Sequence, residues 1–191
     1  MKKMLMMAVA VILVVVISVS ATLAYLTDTD DVVNTFTVGK VDITLTEKED
    51  TDNDGKHTFE DIVPGHKYDK TPVVTVKADS EKCYVFVKVE NGLKDVETTV
   101  AADTIDGQIR TNWTALAGYA GVYYKVVEET TADTPITVFS SFTVNGEKTN
   151  TEMDAVDGKE IKVTAYAVQF DGMADAAAAW KVAQGANKYG A

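Results

Sequence analysis

Between Phe36 and about Phe170 the chain keeps returning to short runs of Val, Ile, Thr, Tyr and Phe: "VDITL" (41–45), "PVVTVKA" (72–78), "CYVFVKVE" (83–90), "GVYYKVVEE" (121–129), "PITVFSSFTV" (135–144) and "EIKVTAYAVQF" (160–170). β-branched and aromatic residues in runs of this length favour strands. In the first run Val41, Ile43 and Leu45 share one face while Asp42, Thr44 and Thr46 take the other; in the third, Val85, Val87 and Val89 alternate with Phe86 and Lys88. Such strands are predicted to bury one face and wet the other. Turn-forming pairs separate the runs, at Asp54-Gly55, Pro64-Gly65, Asn91-Gly92, Asp106-Gly107, Asn145-Gly146 and Asp157-Gly158. Many short strands with little helical periodicity predict an all-β domain, a jelly-roll-like β-sandwich.

One segment breaks the pattern. "MADAAAAWKVA" (173–183) has high helix propensity, with Asp171 placed to cap its start and Gly185 to end it near residue 184. This short Ala-rich helix is expected to cover a sheet edge or end, anchored by Trp180.

The N-terminus follows a third pattern. Lys2 and Lys3 precede a nearly uninterrupted apolar stretch from Met4 to Val19, and Thr22-Leu23-Ala24 supplies small residues where a signal peptidase reads. Residues 1–24 are therefore expected to be a signal peptide cleaved after Ala24, with a retained membrane anchor as the alternative. Residues 25–35 form a polar leader and residues 36–191 the β domain. The C-terminal "WKVAQGANKYGA" carries no second apolar span and no sorting-type tail, so no C-terminal anchor is expected.

Composition narrows the partners. The 191 residues are 46% hydrophobic and 25% charged, enough for one domain with a sizeable core. Without the first 24 residues the chain carries 16 basic against 29 acidic residues, a formal charge of −13. Nucleic acid and anionic membrane surfaces require clustered Lys and Arg, so neither is expected as a partner; divalent cations and basic surfaces fit better. Cys83 is the one cysteine. It excludes an internal disulfide, and its neighbours place it as a small hydrophobe on a buried strand.

Candidate chemistry is sparse. Asp50, Asp52 and Asp54 followed by Gly55 give D-x-D-x-D-G, with Asp61 at the twelfth position, a spacing that folds carboxylates around a hard cation. The flanks are β-type and not helical, so two readings stand: an EF-like calcium loop on a β scaffold, or a solvated acidic hairpin loop. His57 and His66 are the only histidines and no H-E-x-x-H occurs, which argues against a common zinc hydrolase. Ser80, Ser140 and Ser141 lack a G-x-S-x-G setting, and Cys83 lies among apolar residues and not in an electropositive cleft. No enzymatic activity is expected. Trp113 heads an aromatic group with Tyr119, Tyr123 and Tyr124, read as core packing over a ligand-stacking platform. Asn112-Trp113-Thr114 is a formal glycosylation sequon.

The stretch "ATLAYLTDTDDVVNTFTVGKVDITLTE", with its cleavage site before an aromatic, Asp/Thr-rich leader and N-T-F-T-V-G-x-V-D-I-x-L, resembles the TasA and camelysin family of Gram-positive bacteria, exported with a SipW-type signal peptidase. "IVPGHKYDKTPVVTVKADSEKCYVFVKVE" (62–90), "WTALAGYAGVYYKVV" (113–127) and "VTAYAVQFDGMADAAAAWKV" (163–182) extend the resemblance over most of the chain. It implies a secreted jelly-roll subunit of extracellular biofilm-matrix or cell-surface fibres. The released N-terminus of one subunit would complete the sheet of the next, a copy of itself or a related subunit, and the membrane would be met only through the uncleaved signal segment. Tyr25 to about Val33 is then a donor strand, with Tyr25, Leu26, Val32 and Val33 as its apolar side chains. Its Asp content makes it a weak strand former alone. The alternatives are a monomeric calcium-binding or adhesive surface module, and a secreted metallopeptidase as the camelysin name implies.

Overall fold

A computed structural model of the chain describes residues 40–48 and 62–186. The signal segment, the leader, His57 and the loop with Asp50, Asp52, Asp54 and Asp61 lie outside the described residues.

Strand formers build strands where expected, with shifted ends: β1 (Ile43–Glu47), β2 (Lys67–Asp69), β3 (Pro72–Val76), β4 (Cys83–Asn91), β5 (Thr114–Ala115), β6 (Val122–Val127), β7 (Thr134–Thr137), β8 (Ser141–Thr143) and β9 (Ile161–Gln169). All pairings are antiparallel, in sheets ordered β1-β3-β7, β2-β8 and β5-β6-β4-β9. One core joins them. Val74 and Val76 of β3, Ile136 of β7 and Phe142 of β8 meet Cys83, Val85, Val87 and Val89 of β4 and Tyr123 of β6. The described chain is thus mostly β, with a short helix near its C-terminal end.

Four departures have physical causes. The 135–144 run is two strands in different sheets. Val138 and Phe139 are 2% exposed at the corner between β7 and β8, where Val138 N–H donates to Pro72 O at 2.9 Å and Gln108 holds the next two residues. Asp106-Gly107 is not a turn but part of helix α1 (Ile105–Ile109), capped by Thr104 Oγ1, which accepts from Gly107 N at 3.0 Å. Glycine is needed there for close approach: a Cβ would stand 1.8 Å from Ala101 O. A second short helix, α2 (Asn150–Asp154), is set by a reciprocal Thr149–Glu152 capping box. The outer alternation also fails in part. Val41 and Ile43 pack on the core, but Leu45 is 39% exposed.

The Ala-rich helix α3 spans Ala176–Ala186, three residues later than expected. Gly172 sits at φ 84° and Met173 N–H closes a turn onto Phe170 O at 3.2 Å, so the chain is still turning at Asp171. The cap is Asp175, whose Oδ1 accepts from Ala178 N at 2.7 Å. Gly185 lies inside the helix and does not end it.

Helix α3 covers a sheet face and not an edge. Ala176, Ala179, Trp180 and Ala183 pack on Tyr84, Phe86, Leu116 and Val122. Strand β4 is consequently buried on both faces over Cys83–Val87, where one wet face was expected. Trp180 is the anchor, 1% exposed, with ring centroids 5.3 Å from Phe86 and 5.1 Å from Tyr166. No helix among the described residues is long and apolar enough to cross a membrane.

Candidate assembly edge

The side chains singled out for chemistry are occupied by packing. Cys83 is free, fully buried at the start of β4, and burial pushes its thiol up to about 11. Such a thiol stays neutral and unreactive at ordinary pH. Ser80 is buried, and its hydroxyl meets the backbone of Asp42 at 3.2 and 3.4 Å. Ser140 and Ser141 both donate backbone N–H to Gln108 Oε1, at 3.0 and 3.2 Å. His66 is exposed, its Nδ1 3.4 Å from Pro64 O. Among the described residues no three His, Cys, Asp or Glu side chains converge on a metal site.

The aromatic group is split between two cores. Trp113 and Tyr123 belong to the main core, Tyr119 and Tyr124 to the layer under α3. Trp113 Nε1 donates to Thr137 O at 3.0 Å. Tyr123 Oη donates to Asp106 Oδ1 at 2.5 Å, while Arg110 Nε donates to Asp106 Oδ2 at 2.7 Å. The Arg110 hydrogen bond holds the Asp106 carboxyl below its usual range, and burial raises the Tyr123 phenol. Beside them Glu97 accepts from Ile105 N at 2.6 Å and from Asn91 Nδ2 at 3.1 Å, its carboxyl raised by burial. Every member faces a partner and no activated nucleophile stands among them. The cluster ties α1 to β4 and β6.

Among the described residues β1 and β7 form the edges of the three-stranded sheet, β5 and β9 those of the four-stranded one. Strand β5 has only two residues and β7 four, whereas β9 has nine and pairs with β4 alone. Strand β9 is also half-covered on both faces. Ile161, Val163 and Ala165 pack partly on the main core, and Tyr166 and Val168 partly on the layer under α3. None of its nine residues is fully buried, although five successive residues of β4 opposite them are.

The β9 edge also lies near the first described residues of the β domain. Lys40 O accepts from Glu81 N at 2.9 Å and Asp42 O from Lys77 N at 2.9 Å, leading into β1, which runs close to β9. Glu81 is next to Lys82, whose carbonyl accepts from Phe170 N at 2.9 Å, just past the end of β9. Sequence reasoning read 160–170 as one more strand.

Comparison of the chain with protein-family models, with curated proteins and with solved structures finds no match.

Proposed function

We propose that this chain is a secreted structural subunit of an extracellular fibre, in the biofilm matrix or at the cell surface. On this reading the domain is a jelly roll. A SipW-type signal peptidase cuts after Ala24, and the released segment from Tyr25 to about Val33 adds a strand to the sheet of a neighbouring subunit. The observation that carries the proposal is the long edge of β9, which among the described residues pairs with β4 alone. An edge strand exposes a row of unpaired N–H and C=O groups, and an added strand satisfies them while its side chains fill slots on either face. A contact made by a tail on one surface and an edge on another does not close on itself, so it propagates. The resemblance of the leader and of the first strand to TasA and camelysin sequences supports the same reading.

The test is negative-stain microscopy of purified chain beginning at Tyr25, with and without calcium, beside chain beginning at Asn34. Filaments from the first and none from the second are expected. A monomer from both at high concentration would leave a calcium-binding or adhesive module. A calcium requirement would assign Asp50, Asp52, Asp54 and Asp61 to a cation loop.

A further inference from the structure

We infer that a cleft beside the β7–β8 corner is a binding site for one ring of a neutral saccharide, a role that goes beyond the fibre reading and does not depend on it. The cleft, of about 290 Å³, lies between the C-terminal end of α1 and the residues joining β7 to β8. That volume is at the lower limit for small-molecule sites, so it suits a single ring. Val138 and Phe139, each 2% exposed, line its inner part, and Thr111, Asn112, Thr137 and Ser140 form an exposed polar rim. A sugar ring has the matching halves, C–H groups on its faces and hydroxyls around its edge. None of the residues lining the cleft is charged, in a chain with 29 acidic residues.

The hydrogen bonds already made by the rim decide the class of ligand. Thr111 Oγ1 donates to Gln108 O at 2.7 Å and Ser140 Oγ to Gln108 Oε1 at 3.1 Å. A hydroxyl has one proton, so toward a ligand these two can only accept. The side chains of Asn112 and Thr137 make no hydrogen bond among the described residues and offer both donors and acceptors. A carboxylate or phosphate only accepts, and would meet two further acceptors with no cation in the lining. Lys125, whose Nζ donates to Asn112 O at 3.3 Å, is not a lining residue. An ammonium would find no carboxylate. Hydroxyl groups donate and accept, and so satisfy every member of the rim.

The site is also preformed. Gln108 spends its amide wholly on the fold, Nε2 donating to Asp103 O and Ser141 O while Oε1 accepts from Ser140 N and Ser141 N. It fixes the corner and leaves recognition to the rim. Asn112 and Thr137 are tied as well, because Trp113, next to Asn112, donates from Nε1 to Thr137 O at 3.0 Å. Groups held this way lose little freedom when a ligand arrives.

Saturation-transfer NMR tests the site, since it reads the ligand and works on monomer and filament alike. Chain beginning at Tyr25 is mixed in turn with methyl glucoside, methyl galactoside, N-acetylglucosamine and glucuronate. At least one neutral sugar is expected to receive magnetisation, and glucuronate none. Transfer to no neutral sugar, or to glucuronate as strongly as to the best of them, would overturn the inference. Two variants locate the binding. Thr137→Val removes the rim hydroxyl while keeping the side chain's shape, and should weaken binding about tenfold. Ala102→Glu puts a charge at an exposed lining position on the turn before α1, and should abolish it. Unchanged binding by either variant, folded by circular dichroism, would overturn the assignment; should one unfold, the other decides. Failure of the same chain to form filaments would count against the fibre proposal alone.

Discussion

Cys83 and Trp180 show how single residues are tuned by the double burial of β4. The Cys83 thiol, at about 11 in the fold, ionises more readily once unfolded, near its ordinary 9.0. The unfolded chain thus binds fewer protons between those values, and stability that is full below pH 9 is lost as pH rises toward 11. Cys83→Val is expected to flatten that alkaline decline in urea titrations across pH 8 to 11, and native protein should react slowly with thiol reagents until denatured. Trp180 fills the space between α3 and the sheet, yet its Nε1 is buried with no acceptor among the described residues. Trp180→Ala should cost about 3–5 kcal/mol, the range for large aromatic truncations. Trp180→Phe should cost much less, because it removes the orphaned donor along with part of the ring. Chemical denaturation of the two variants checks the order.

At the level of elements, the corner between β7 and β8 depends on one side chain. Gln108 Nε2 donates to Asp103 O and Ser141 O, at 3.0 and 2.9 Å, while Oε1 accepts the N–H groups of Ser140 and Ser141. Gln108→Ala should destabilise the domain by about 2 kcal/mol, since backbone groups at the corner lose their partner. The start of α3 offers a paired test: Asp175→Ala should cost about 1 kcal/mol and Asp171→Ala almost nothing, by thermal melting. Strand positions were legible in sequence because β-branched runs and turn pairs are local signals. The corner at 138–140 was not, since Val138, Phe139 and their neighbours have strand-like residues whose direction changes only through Gln108, some 30 positions away. Gly107 misled for a related reason. Its lack of a side chain serves a close approach to Ala101 O, which no dipeptide pattern reveals. The helix at 176–186 was recognised by propensity, but its true cap depended on the turn at Gly172.

For the whole molecule, the second aromatic layer explains how the four-stranded sheet holds one strand, β4, that is buried on both faces. Truncation after Gly172 should strip α3 from Tyr84, Phe86 and Tyr166 and leave a sheet face that binds a hydrophobic dye such as ANS. The layer was hidden in sequence because the residues forming it, from Tyr84 to Ala183, are nearly a hundred positions apart. The edge of β9 was equally hidden. A strand reads the same whether or not a neighbour lies beyond it, and only the topology shows that, among the described residues, it pairs with β4 alone. A fibre built by the strand addition proposed above has a kinetic corollary. A chain of such subunits would have two unlike tips, one ending in an unused tail and the other in an unused acceptor. Protein beginning at Asn34 could join only where a tail waits. It would act as a terminator at that tip, so that small amounts should shorten growing filaments.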